Sequence, residues 1–334
     1  MHSDRYPTWS IPPETLQRLR EVAGSDWVVE SVEIVATASG DGAKLVPEPV
    51  LTAVRDAEIY FGFGIPAEVL RAGLDLRWVH SAAAGVWSSL TTEMRASKVQ
   101  FTNSAGIYGR PLAEWAIGSM LYFGRGFDLA ARPDDPWPFD ATASETGPLR
   151  EIHGSRVTVV GYGGIGSEIG RLAAALGMRV TAVRARLDGP VPDEVDQLFG
   201  LDQLIEAVAD AHYVVLALPE TAGSIGLFGR EVLAAMRSDA VLLKLSRGSI
   251  VDEDALVEAL EVGALRGAAL DVFAREPLTG NSPLLALPNV LATPHTGSVS
   301  PRFWDRQTDL MTENLARFLR GESLVNLVDR QRGY

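Results

Sequence analysis

The chain has 334 residues, 46% hydrophobic and 22% charged, a balance that supports about two folded domains and argues against wholesale disorder. Its formal net charge of −13 sets up a field that repels nucleic acid and anionic membranes, so neither is expected as a partner. With no cysteine, it can carry neither a disulfide framework nor thiolate chemistry. The first residues, MHSDRYPTWSIPPETL, lack the apolar core of a signal peptide, and no apolar run is long enough to span a bilayer. A cytoplasmic protein is therefore expected.

In chain order, short β-rich runs alternate with amphipathic stretches. Strands are expected at 28–35, 57–62, 76–81 and 99–103, with a helix at 66–72 between two of them. A long helix begins near Pro111, where Leu112, Trp115, Ala116, Met120 and Leu121 recur at helical spacing. RPDDPWPFDATASETGP, rich in Pro, Asp, Ser and Thr, reads as a loop. A second series starts at Arg156. RVTVVGY, RVTAVRA, YVVLALP, AVLLKLS, GAALDVF and NVLATPH are six strand candidates, the number in a complete doubly wound dinucleotide domain. SPRFWDRQTDLMTENLARFLRG reads as a final helix. Strands separated by helix-length segments imply an α/β fold with parallel sheets.

Gly161-Tyr162-Gly163-Gly164-Ile165-Gly166 follows the strand RVTVV directly and opens a helix, the context in which G-x-G-x-x-G has meaning. Gly161 permits the tight turn, Gly163 lets a pyrophosphate approach the backbone, and Gly166 lets helix pack on strand. The amides around Gly164 and Ile165, at the helix N-terminus, then receive the diphosphate. Roughly 20 residues on, an NAD-preferring site needs an acid to accept from the ribose 2′-hydroxyl. Arg184 stands there, with Arg186 close by. A guanidinium suits a 2′-phosphate, so NADP(H) is the expected cofactor, with NAD(H) possible.

In open parallel sheets, ligands bind outside the carboxyl ends of the strands. Pro219, Arg247, Asp271 and His295 all fall at such ends, as do Gly161 and Arg184. Singly, each has an ordinary reading: a surface arginine, a structural histidine, or, for Glu276, a loop cap. Together they line one edge of one sheet.

SRGSIVDEDAL, DVFAREPL and TPHTGS, in this order after GYGGIG, resemble the signature segments of the D-isomer-specific 2-hydroxyacid dehydrogenases. Leu218-Pro219-Glu220-Thr221 and Asn103…Ala113-Glu114 also match. The resemblance covers nearly the whole chain and is weakest over its first ~50 residues. It implies two Rossmann-like doubly wound domains. The substrate domain, of flavodoxin-like type, takes residues 1–105 and 299–334. The inserted dinucleotide-binding domain takes 106–298, with the active site in the cleft between the two. It also implies a homodimer. Residue by residue, the family's substrate-binding arginine falls on Arg247, its histidine-paired acid on Glu276 and its acid/base histidine on His295. The nicotinamide carboxamide contact falls on Asp271, and Pro219 and Leu245 join the cofactor-binding set. The loop 81–85 (SAAAG) matches the carboxylate-binding loop, with amides at Ala84 and Gly85.

The chemistry asks for these residue types in its own right. Reducing a 2-keto acid places negative charge on the C2 oxygen. An arginine can fork the carboxylate and that oxygen. A protonated histidine can deliver the proton, worth about 10²–10⁴-fold. A carboxylate on its other ring nitrogen keeps the imidazole charged near neutral pH. The expected partner is thus a small anionic 2-keto or 2-hydroxy acid, with glyoxylate and hydroxypyruvate the first comparison. Glu276, where related formate dehydrogenases carry glutamine, argues against that activity. The chain ends too soon after His295 for the regulatory domain common in phosphoglycerate dehydrogenases. His2, His80, His153 and His212 lack metal-ligand spacing, so no metal is expected, and His80 is read as structural. Lys244 departs from the asparagine frequent in the family. Phe61, Phe63 and Trp87 read either as pocket walls or as core. Two other activities fit the same residues: a tailoring reductase for a specialised 2-keto acid, and a dinucleotide-sensing scaffold.

Overall fold

Among the described residues, every pairing between strands is parallel, as the alternation of strand and helix segments requires. The computed structural model describes residues 10–32, 46–130 and 149–333. The chain divides into two compact units, Met1–Tyr108 with Ser300–Tyr334, and Gly109–Val299. None of the helices among the described residues is long and apolar enough to cross a membrane.

The first unit holds three strands in the order β1 (Ile59–Gly62), β2 (Trp78–Ser81), β3 (Gln100–Asn103). Side chains alternate across a strand, and β2 shows what that does. Val79 joins Val54, Val69, Met94 and Phe101 in one core cluster, whereas Trp78 joins Leu19, Met311, Leu315 and Phe318 in another. The second cluster lies under the helix Phe303–Arg320, whose buried Gln307, Met311, Asn314, Leu315 and Phe318 recur at helical spacing. That helix ends at Gly321, which caps it in the left-handed conformation. The strand expected at 28–35 is not formed over 28–32. Val28 is 93% exposed and only Val29 and Val32 pack inward, so the alternation is there without a neighbouring strand to pair with. Positions 33–35 lie outside the described residues.

The second unit carries seven strands, one more than the six expected. They are β4 (Arg156–Val160), β5 (Arg179–Val183), β6 (Gln197–Phe199), β7 (Tyr213–Leu216), β8 (Val241–Lys244), β9 (Gly267–Leu270) and β10 (Val290–Ala292), in the order β10-β9-β8-β7-β4-β5-β6. The unforeseen strand is β6, a three-residue edge strand too short and too exposed to leave a pattern. All four residues of each of β7, β8 and β9 are buried. Burial on both faces explains why these strands read as unbroken apolar runs. The order reverses between β4 and β7, the topological switch point at which doubly wound sheets bind ligands. The long helix, Gly109–Gly124, starts two residues ahead of Pro111. The loop expected at 132–148 lies outside the described residues.

Candidate active site

At the switch point, Gly161 turns the chain out of β4 with φ +93°, and a Cβ there would lie 2.5 Å from the Leu218 amide nitrogen. Gly166 is pressed closer still: its Cβ would sit 2.0 Å from the Gly161 carbonyl oxygen. Gly163 faces open space, with nothing within 4 Å of where a Cβ would be. Two glycines thus bring the helix Gly164–Ala175 against the strand, and the third leaves room beside that helix's N-terminus. This fits a diphosphate, which needs close backbone approach and unpaired N–H groups. Ile165 is half-buried in the first turn. Across the switch point, the Pro219 carbonyl accepts from Ser224 Oγ at 2.8 Å, and Leu245 is buried just beyond β8.

Arg184 follows β5. Its Nη2 donates to the carbonyls of Gly189 (2.8 Å) and Pro190 (3.2 Å), and its Nε is buried without a hydrogen-bond partner. Arg186 is exposed. A buried guanidinium nitrogen without an acceptor is uncommon and calls for one.

The catalytic candidates converge at the ends of β8, β9 and β10. His295 Nδ1 lies 2.8 Å from Glu276 Oε2, and Glu276 Oε1 accepts the Phe273 amide at 2.9 Å. The hydrogen bond to Glu276 raises the pKa of His295 against the opposing effect of its burial. Burial of Glu276 works to raise its own pKa, but the His295 bond, the Phe273 amide and the charge of His295 outweigh it and hold the carboxyl below its ordinary value. Arg247 lies near enough for its charge to act on both, and its Nη1 donates to the Ser246 carbonyl at 2.9 Å. The imidazole remains 43% exposed, open to a reactant.

Asp271 has a part that spacing alone did not reveal. Its side chain is buried and already engaged. Oδ1 accepts from Thr293 Oγ1 (2.6 Å) and the amides of Thr296 (2.9 Å) and Gly297 (3.0 Å), and Oδ2 from Gly297 (2.9 Å). Its own carbonyl accepts the His295 amide at 2.9 Å. One residue therefore holds the loop that carries the histidine, which stands at φ +55°, a conformation side chains rarely adopt. Lys244 is wholly buried and ion-paired with Glu253 at 2.7 Å. Sequence reasoning singled out the lysine but not its partner.

In the first unit, β2 leads into the loop 81–85. Ser81 Oγ accepts the amides of Gly64 and Ala83, each at 3.2 Å, and the Ala84 carbonyl accepts from Asn103 Nδ2 at 2.7 Å. Among the described residues, no protein acceptor is paired with the amide of Ala84 or Gly85. His80 is buried against Thr102, Ser104 and Gln307. Phe61, half-buried, packs edge-on to Trp78 at 4.9 Å, against the cluster under the last helix. Phe63 stacks on Phe303 at 6.3 Å, and Trp87 is 39% exposed.

The switch-point glycines and the strand-end pair define an oxidoreductase with a nicotinamide dinucleotide cofactor, and comparison with known proteins agrees. Residues 127–297 match the model of the D-isomer specific 2-hydroxyacid dehydrogenase, NAD binding domain. A glyoxylate reductase of Korarchaeum cryptofilum is 31% identical over 270 residues, which are 80% of this chain and 80% of that enzyme. A D-3-phosphoglycerate dehydrogenase of Methanocaldococcus jannaschii is 30% identical over 309 residues, 90% of this chain but 56% of that longer enzyme. Among solved structures, a D-isomer specific 2-hydroxyacid dehydrogenase from Xanthobacter autotrophicus Py2, in complex with NADPH and MES, superposes with a TM-score of 0.76 at 28% identity, covering 90% of each chain. The chain belongs to the D-isomer specific 2-hydroxyacid dehydrogenase family, whose members are built from two Rossmann-like domains.

Proposed function

We propose that the protein is an NADP(H)-preferring 2-keto acid reductase, acting on glyoxylate, hydroxypyruvate or a similar acid. The observation that carries the reading is the 2.8 Å Glu276–His295 pair with Arg247 beside it, at the strand ends of a sheet whose switch point carries the glycine turn. Arg247 forks the substrate's carboxylate and keto oxygen and stabilises the charge that grows on that oxygen. His295, kept protonated by Glu276, gives its proton to the oxygen through the ring nitrogen that does not face Glu276. The amides of Ala84 and Gly85 hold the substrate carboxylate. When bound, the reduced nicotinamide supplies the hydride to C2. In the reverse direction His295 takes the hydroxyl proton.

The preference for NADP(H) rests on Arg184, whose unpartnered Nε seeks an acceptor such as a 2′-phosphate, with Arg186 exposed close by. The similar Xanthobacter structure holds NADPH, which supports the same choice. In this reading residues 1–105 with 299–334 form the substrate domain and 106–298 the cofactor domain of a cytoplasmic homodimer. The test is a panel of glyoxylate, hydroxypyruvate, pyruvate and bulkier 2-keto acids, each assayed with NADPH and with NADH. Turnover of a small member with higher kcat/KM for NADPH is expected. Consumption of neither cofactor with any acid would overturn the reading.

A further inference from the structure

A buried lysine is an unusual thing to find on a central strand. Lys244 ends β8, a strand buried on both faces, and is 0% exposed. Taking an ammonium out of water costs several kcal/mol unless a partner compensates, and an apolar residue of similar size would fill the space without that cost. The Nζ lies 2.7 Å from Glu253 Oε1, and burial lowers the lysine pKa while the Glu253 charge pulls it back up.

What the pair does is visible one bond further on. The same Glu253 Oε1 accepts the amide of Ala274 at 2.8 Å, and the neighbouring amide, Phe273, donates to Glu276 Oε1 at 2.9 Å. Two successive amides are thus shared between the buried pair and the acid that holds His295. From the other side the backbone of Gly248, next to Arg247, is pressed on the same turn: a Cβ there would lie 2.0 Å from the Phe273 carbonyl oxygen and 2.4 Å from the Ala274 nitrogen. The turn that carries Glu276 is therefore gripped between Glu253 and Gly248. The charges that bear most on His295 are Glu276, Arg247 and Asp271; Lys244 acts on the turn beside them, its charge within reach of Glu276 and its ammonium 5.7 Å from the centre of the Phe273 ring.

We propose that Lys244, acting through Glu253, is a positioning residue for the catalytic pair: it fixes the turn that sets Glu276 against His295. The kinetic part of this inference rests on the reductase reading; the spectroscopic part does not. The chosen variants separate bracing from mere filling. In Lys244→Met/Glu253→Leu both charges go, and an apolar replacement of a buried ion pair is often neutral or stabilising, so the protein folds but Ala274 loses its acceptor. In Glu253→Gln the acceptor stays.

The first readout is the titration of the His295 imidazole by NMR, assigned by its loss in a His295 variant and measured without substrate. The second is kcat and KM for the keto acid, with the Kd for NADPH. In the double variant the His295 pKa is expected to fall by about half a pH unit or more. Its kcat falls about tenfold, since misplacing a reacting group by an ångström can cost about a hundredfold. Cofactor Kd and melting temperature hold. Glu253→Gln keeps both the pKa and kcat near wild type. A folded double variant with the wild-type His295 pKa and kcat would overturn the proposal. So would a Glu253→Gln protein that loses both. If the double variant does not fold, Lys244→Met takes its place: it leaves Glu253 without its anchor and is expected to lower the His295 pKa and kcat, and wild-type values there would overturn the proposal. If the wild-type protein reduces no keto acid, the reductase reading fails, while the NMR titration still decides whether Lys244 braces the turn.

Discussion

Mild acid is expected to destabilise this protein through two histidines that sit uncharged in the folded state. His80 is 1% exposed, its Nδ1 2.8 Å from Thr102 Oγ1 and its Nε2 3.1 Å from Ser104 Oγ, and burial lowers its pKa from 6.5 to about 3. His212 is 9% exposed and lowered to about 4, first by burial and then by the charges of Arg150 and Arg156. Both folded values lie below the unfolded one, so the unfolded chain takes up protons that the folded chain refuses. The stability this confers is complete above pH 6.5 and drains as the pH falls towards the folded values. At about 1.4 kcal/mol per pH unit per proton, going from pH 6.5 to about 4.5 removes about 2 kcal/mol for each histidine and about 4 together. That is a large part of the about 5–15 kcal/mol that holds a native protein folded. His295 does not blur the window. Its folded pKa is raised, so its contribution is whole below the unfolded value and is lost only as the pH rises through the folded one.

Urea unfolding followed by tryptophan fluorescence and circular dichroism at several pH values across this window measures the slope. His80→Gln keeps amide donors and an acceptor for Thr102 and Ser104 but cannot titrate, and it should flatten the loss by about 2 kcal/mol. Equal slopes for wild type and His80→Gln would refute the claim that His80 is held neutral.

The site yields three more tests. Glu276→Gln removes the charge that keeps His295 protonated, so the limb on which 2-keto acid reduction falls with rising pH should move to lower pH; an unmoved limb in the pH–rate profile counts against the pair. Arg184→Asp should shift the ratio of kcat/KM for NADPH over NADH towards NADH by about tenfold or more, because it trades a phosphate ligand for a ribose acceptor. An unchanged ratio would make Arg184 only a loop anchor for the Gly189 and Pro190 carbonyls. Gly166→Ala puts a methyl group 2.0 Å from the Gly161 carbonyl oxygen. Overpacking of that kind costs about 1–3 kcal/mol, so both the melting temperature and NADPH affinity should drop, as a thermal melt and a fluorescence titration would show.

The parts of the fold that were legible in the sequence are those where burial leaves an unbroken trace. YVVL, VLLK and GAAL read as strands because both faces of the sheet are covered. The glycine turn was legible because its spacing has steric causes, now visible at Gly161 and Gly166. β6 left no trace because a three-residue edge strand pairs on one side only. Over 28–32 the expected strand did not form, because β-branched residues favour extended backbone whether or not a partner strand is near, and none pairs there. That Arg247, Glu276 and His295 gather at one edge was legible as a set of strand ends. What spacing could not carry is the direction of a side chain. Besides the cofactor contact expected of it, the Asp271 carboxylate gathers the 293–297 loop, which no spacing announced. Glu253 drew no notice in the sequence, and only the placement of Lys244 and Ala274 on one of its oxygens shows what it does.

The left-handed backbone at His295 bears on how this enzyme can be taken apart and repaired. At φ +55°, held by the Asp271 carbonyl and carboxylate, the position accepts glycine at no steric cost, whereas alanine keeps the Cβ strain that histidine already bears. His295→Gly is therefore the clean deletion: the loop keeps its path and a ring-sized hole opens beside Glu276 Oε2. Free imidazole fits that hole, hydrogen-bonds the same carboxylate and can serve as a detachable acid. Turnover lost in His295→Gly should return in proportion to added imidazole, and far less in His295→Gly/Glu276→Gln, where no carboxylate remains to keep the bound imidazole protonated.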